Sequence, residues 1–195
     1  MQFDFQPVLS SDLIKVRPLR SADFDELFAV AADPLLWEQH PQPDRHRKDI
    51  FRGFFLDALA SGGALAVVDP RDSRLIGSSR YHGYNAARRE VEIGWTFLAR
   101  SHWGGAYNKE LKRLMLRHAF QFVDTVVFLI GPANIRSQRA VEKIGGVLSG
   151  PGPDKAGAPC LLYRIEAGNW LGECEGGGGV GVAGGLRWRW QGETG

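Results

Sequence analysis

The chain opens on an alternation. Residues 13–19 (Leu-Ile-Lys-Val-Arg-Pro-Leu) switch between apolar and polar side chains and suit a first strand. Phe24, Leu27, Phe28 and Ala31 then recur at helical spacing, with Ser21 placed to cap that helix and Asp33-Pro34 to stop it. His40-Pro41-Gln42-Pro43 reads as a loop. From Asp44 a second helix is expected, with Ile50, Phe51, Phe54, Phe55, Ala58 and Leu59 in one broad apolar stripe and Gly62-Gly63 closing it. Such a stripe is either core or the wall of a binding site.

Strand periodicity follows. Ala64 to Val68 is a short apolar run, and Asp69-Pro70-Arg71-Asp72 turns it into a second strand near residues 74–84, as in a hairpin. Residues 89–98 form a further strand. A regular period of two puts Val91, Ile93, Trp95 and Phe97 on one face and Glu90, Glu92, Gly94 and Thr96 on the other.

The most informative stretch runs over residues 93–110, where a strand, a loop with paired glycines and a helix follow one another. A helix N-terminus behind such a loop offers unpaired N–H groups and a partial positive charge, which suits a phosphate. The helix carries Leu111, Leu114, Met115, Ala119 and Phe122 inward, and Lys109, Lys112, Arg113 and Arg117 on its polar side. Residues 125–130 are continuously apolar, as in a strand buried on both faces of a parallel pair, so residues 89–130 read as a βαβ crossover. Asn134 caps another helix, with Ala140, Val141 and Ile144 inward and Gly145-Gly146 at its end. A Gly/Pro loop over 149–159 and a last strand over 160–165 complete the order.

Composition narrows the class. With 195 residues, 44% hydrophobic and 24% charged, the chain suits one globular domain over residues 1–170. Residues 171–195 form a Gly-rich tail, expected to be disordered. Its Gly176, Gly178 and Gly181 match G-x-G-x-x-G but lack the βαβ context that motif needs, so the match is one of chance. A net charge of +2 does not point to nucleic acid, and no apolar run is long enough to span a membrane. Met1-Gln2-Phe3-Asp4-Phe5 has no signal-peptide pattern, and Cys160 and Cys174 read as reduced thiols, so a cytoplasmic protein is expected. The histidines at 40, 46, 82, 102 and 118 show no metal spacing, so no metal is expected.

The order of elements carries a resemblance. Trp103-Gly104-Gly105-Ala106-Tyr107-Asn108 stands where a pyrophosphate loop of the form Arg/Gln-x-x-Gly-x-Gly/Ala would stand, and Asn134, Ser137, Glu142, Lys143 and Gly145 keep a second motif. Together they make the chain resemble the Gcn5-related N-acetyltransferase (GNAT) superfamily over residues 11–167, most closely its ribosomal-protein N-terminal acetyltransferase-like branch. The resemblance implies an α/β (α+β) fold with a central mixed, mostly antiparallel sheet, a splayed parallel pair and flanking helices. It implies acetyl-CoA as co-substrate and a primary amine, on a peptide or a small molecule, as acceptor. It leaves monomer or homodimer open.

The resemblance also assigns candidate residues. Acetyl transfer from a thioester needs a held cofactor, a base for the ammonium and stabilisation of the leaving thiolate. Backbone N–H groups of Trp103, Gly104, Gly105, Ala106, Tyr107 and Asn108 would face the pyrophosphate; Ala106 is tolerable where φ is negative. Phe97, Leu98 and Asn134 would touch the pantetheine arm. Glu92 is the candidate base, with Glu90 as its fallback, or else a salt-bridged strand carboxylate. Val141 stands where relatives carry a tyrosine acid, which leaves Ser137, or a helix-start hydrogen bond from it. Arg136 and Arg139 either reach the 3′-phosphate or form a solvated face, Tyr107 contacts phosphate or packs, and His102 touches a phosphate or is a surface-loop residue. Two other functions fit less of this pattern: a non-catalytic acyl-CoA-binding or regulatory module, and an unrelated nucleotide-binding βαβ protein.

Overall fold

The structure, a computed structural model, describes residues 2–153 and 157–170. Residues 171–195, to which the sequence assigns the tail, lie outside the described residues. Eight strands form one sheet: β1 (Leu9–Ser10), β2 (Lys15–Pro18), β3 (Ala64–Val68), β4 (Leu75–Asn85), β5 (Glu90–Leu98), β6 (Thr125–Ile130), β7 (Val147–Pro153) and β8 (Pro159–Glu166). Across the sheet they run β1-β2-β3-β4-β5-β6-β8-β7. The four longer helices are α1 (Phe24–Ala31), α2 (Lys48–Ala60), α3 (Ala106–Ala119) and α4 (Ile135–Glu142). Among the described residues only β5 and β6 pair in parallel, as the βαβ reading requires.

That parallel pairing covers three positions, Glu90 to Glu92 against Thr125 to Val127. Beyond it β5 runs on to Leu98 alongside β4, while β6 runs on to Ile130 alongside β8. The strands diverge, and a gap opens at their C-terminal ends.

Two cores cover the two faces of the sheet. One joins Val91, Ile93, Leu98 and Val126 to Leu111, Leu114 and Met115 of α3 and Val141 of α4. The other joins Phe97 and Ala66 to Leu27 of α1 and to Phe51 and Phe55 of α2. The apolar stripe of α2 is therefore core at Phe51 and Phe55.

The period-two reading of β5 is corrected here. Between Arg80 and Ser78, one residue of β4, Ser79, opposes two of β5, Trp95 and Thr96, since Arg80 faces Gly94 and Ser78 faces Phe97. The extra residue is taken up at Trp95, whose φ is +52°. Such a bulge reverses the alternation. Val91 and Ile93 face α3, but so do Thr96 and Leu98, while Phe97 faces α2.

Smaller expectations also change. Ser21 does not cap α1; Asp23 does the work of that turn, accepting from the Arg20 N–H at 2.8 Å and from Arg17. The start of α2 moves to Lys48, because Pro43–His46 forms a 3-10 turn. The run read as a Gly/Pro loop overlaps most of β7, with Gly150 at φ +124° beside its register shift.

The sheet leaves no space at Gly77. A Cβ there would stand 2.1 Å from the Phe97 carbonyl oxygen and 3.0 Å from Leu98 Cα, both backbone. Gly77→Ala is expected to force β4 and β5 apart at the mouth of the gap and cost about 1–3 kcal/mol. Urea denaturation checks this; an unchanged midpoint would refute the close approach.

Candidate functional site

The gap between β5 and β6 leads into a cleft of about 610 Å³. Its lining comes from the end of β5 (Thr96, Phe97, Leu98), the loop and first turn of α3 (Trp103, Gly104, Gly105, Asn108, Lys109) and the first turns of α4 (Asn134, Arg136, Ser137, Arg139). Trp37 and His40 close one end.

The loop after β5 is built to expose backbone donors. Gly104 has φ +69°, a value that favours glycine. Gly105 is the N-cap of α3 and has no side chain to bond the first N–H groups. Those of Ala106, Tyr107 and Asn108 precede any i−4 carbonyl inside the helix and point out of its positive end. Ala106 is the first helical residue, so its methyl sits at an ordinary negative φ.

The cleft is cationic. Lys109, Arg136, Arg139 and Lys143 line it, and no Asp or Glu does among the described lining residues. Several low-dielectric walls carrying one sign of charge concentrate anions. Trp103, Gly104, Gly105, Asn108, Asn134, Phe97, Leu98 and Ser137 thus meet at one place. Tyr107 does not line the cleft. It packs edge-on to the His102 ring at 4.6 Å, and its hydroxyl accepts from Arg71 at 3.0 Å. His102 is no free surface histidine. Ser101 Oγ is 2.9 Å from its Nδ1, and Asp69 is 3.6 Å from its Nε2. Asp69 is held well below the usual carboxylate range, chiefly by the Arg71 guanidinium. The turn after β3 thereby braces the loop before α3.

Trp103 roofs the cleft. Its indole N–H donates to the Leu98 carbonyl at 2.8 Å, and the Arg136 guanidinium lies 4.1 Å from its ring centroid. Arg136 also donates to the Leu36 carbonyl and pairs with Glu38 at 3.5 Å. Asn134 caps α4 as expected, its Oδ1 accepting from the Ser137 N–H at 3.1 Å.

The acidic candidates lie outside the cleft lining. Glu92 is 8% exposed at the last parallel pair, opposite His82. Its Oε1 sits 3.2 Å from where a Cβ of Gly94 would stand, so the glycine makes room for the carboxylate. Glu90 is paired with Arg164 at 2.8 Å. Cys160 is a buried thiol in β8, outside any disulfide. Val141 is part of the core.

Lys112 is the residue that sequence reasoning misplaced. Read as part of the polar side of α3, it is 5% exposed and points at the sheet. Its ammonium donates to Thr96 Oγ1 on β5 at 2.6 Å and lies 5.4 Å from the Phe128 ring centroid on β6, so it spans the diverging strands from below. Thr96 in turn is 2.8 Å from Ser79 Oγ. The missed signal was the position itself, one turn beyond the cleft residues Asn108 and Lys109.

Burial lowers Lys112 from its ordinary value to about 7. Between pH 7 and about 10.5 the unfolded chain carries the extra proton and the folded one does not, so stability rises with pH across that window. Below pH 7 both states are charged and the cost of burying the ammonium is present in full. Lys112→Met is expected to flatten the slope, read as denaturant midpoints at pH 7, 8.5 and 10. Equal slopes in both proteins would show that Lys112 does not titrate there.

Comparison with known proteins adds to this geometry. Residues 14–147 match the family model of the acetyltransferase (GNAT) domain. No curated protein matches the sequence. Among solved structures, an acetyltransferase from Agrobacterium tumefaciens str. C58 is 26% identical, covering 85% of this chain and 97% of its own, with a TM-score of 0.67. A GCN5-related N-acetyltransferase from Brucella melitensis is 17% identical, covering 85% and 80%, with a TM-score of 0.75. RimJ from Mycobacterium smegmatis, solved in complex with CoA-disulfide, is 17% identical, covering 84% and 87%, with a TM-score of 0.65.

Proposed function

The chain belongs to the GNAT acetyltransferase family, and on that premise we propose that it is an acetyl-CoA-dependent N-acetyltransferase acting on a primary amine by direct attack in a ternary complex. The observation that carries the reading is the cationic cleft, where the open N-terminus of α3 meets the end of β5 that has parted from β6. The donor set fits a polyphosphate: N–H groups of Ala106, Tyr107 and Asn108, with Lys109, Arg136, Arg139 and Lys143 around them. When bound, acetyl-CoA supplies the activated acetyl group.

The chain's own residues then do three things. The end of β5 at Phe97 and Leu98, with Asn134 opposite, aligns an extended arm along the gap. Glu92 takes the proton from the acceptor ammonium, directly or through water, from the face of β5 that α2 covers. Ser137, on the cleft wall, is the hydroxyl for the leaving thiolate, since Val141 offers none. A buried Cys160, away from the cleft lining, speaks for direct attack rather than an acyl-enzyme.

The test has two stages. Coenzyme A is expected to bind in calorimetry and to raise the melting temperature, more so at low salt. Thiol release is then followed over a panel of peptide and small-molecule amines. Glu92→Gln is expected to lower kcat by roughly 10²–10⁴ with coenzyme A affinity unchanged. Binding without thiol release for any amine favours a non-catalytic acyl-CoA module. Preference for ATP or NAD over coenzyme A removes both readings.

A further inference from the structure

The face of the sheet under α2 buries two arginines close together. Arg80 of β4 is 2% exposed and Arg45, in the turn before α2, is 7% exposed. Arg45 donates from Nε and Nη2 to Gln42 Oε1 at 3.0 and 2.6 Å, and its Nη1 is 3.1 Å from His40 Nε2. Its guanidinium lies 4.4 Å from the Phe54 ring centroid and 5.5 Å from that of Trp37.

Arg80 is less well provided for. Nη1 donates to Asp57 Oδ2 at 2.8 Å, and the guanidinium lies 4.6 Å from the Trp95 ring centroid and 5.9 Å from that of Phe54. Its Nε and Nη2 are buried and meet no acceptor among the described residues. Asp57, whose side chain is 70% exposed, is the carboxylate bonded to Arg80. Each guanidinium also feels the other, and burial together with the charge of Arg80 holds Arg45 down at about 10. Two neighbouring buried cations, one of them bonded to a wet carboxylate and left with two donors over, are a costly arrangement for a fold to keep.

Its position gives it a use. Arg80 stands opposite Gly94, and the Glu92 carboxylate rests against Gly94 on the same face. Trp37, His40 and Phe97, which line the end of the cleft, stand between that cleft and Arg45. We propose that Arg80, with Arg45 behind it, binds a carboxylate of the acceptor, so that the acceptor is a short acidic amine. The planar fork of Arg80 presents Nε and Nη2 side by side, the pair that grips a carboxylate through two parallel bonds. The ring of Trp95 backs the fork and keeps water from it. This inference rests on the acetyl-transfer reading, with Glu92 as the base. The carboxylate comes either from a free amino acid or from an acidic residue next to a peptide's N-terminus.

Paired acceptors separate the outcomes. One arm compares β-alanine and γ-aminobutyrate with their amides. The other compares C-terminally amidated peptides beginning Ser-Asp with those beginning Ser-Asn. The acid member is expected to have at least about tenfold higher kcat/KM in one arm, which names the source. Arg80→Lys, which keeps the charge and loses the fork, is expected to shrink that ratio mainly through KM. Equal kcat/KM for acid and amide in both arms, in a protein that does acetylate amines, overturns the inference and leaves the acetyl-transfer reading standing. Absence of thiol release from every acceptor sinks that reading instead. Calorimetry of the same pairs on the coenzyme A-bound protein then decides the anion site alone. Tighter binding of the acid member, lost in Arg80→Lys, supports it, and equal binding refutes it.

Discussion

Everything at the site depends on β5 and β6 being partners for three residue pairs and no more. A longer ladder would close the gap and leave no cleft. A shorter one would cut the sheet in two, since β6 ties β8 and β7 to the rest through β5 alone. Parallel neighbours need a crossover, and α3 is that crossover. The same connection therefore supplies the floor of the gap and, at its N-terminus, the donors at its mouth.

The two faces of the sheet around this gap are electrically unlike. On the α3 face the Lys112 ammonium sits among mostly apolar side chains and is bonded to a hydroxyl. On the α2 face, guanidinium groups lie among aromatic rings. The first suits a group that changes charge near neutrality. The second suits one that never does, because Arg keeps its proton even when buried. The proposed base, Glu92, lies on the side of the permanent charges.

Much of this was legible in the sequence, and the exceptions have physical causes. The crossover was readable because a continuous apolar run and an alternating run signal different burial, and β6 falls at Thr125–Ile130 as read. Asn134 was readable because a capping side chain acts within three residues. The turn of Trp95 was not, since one added residue leaves apolar residues at every position that the period-two pattern asks for. Lys112 was hidden because a lysine on a helix is ordinarily read by its charge, while its stem is long enough to be buried. The strand β7 was hidden by Gly150, Pro151 and Gly152, residues tolerated here at an edge of the sheet. The Arg45–Arg80 pair joins positions far apart in the chain, and no local pattern holds such information.

The bulge in β5 carries a consequence for how this protein can vary. Between Glu90 and Leu98 the length of the chain is itself a structural parameter. Removing the extra residue would leave a regular ladder with Thr96 still beside Ser79 and Phe97 still opposite Ser78, so the faces beyond the bulge would be kept. Removing a second would turn the remaining residues over. Phe97 would then be driven against α3, and Thr96 would be taken away from Lys112. No choice of side chain could compensate at both places. Chains of this kind can therefore differ here by the bulge itself, a single residue, and not by two.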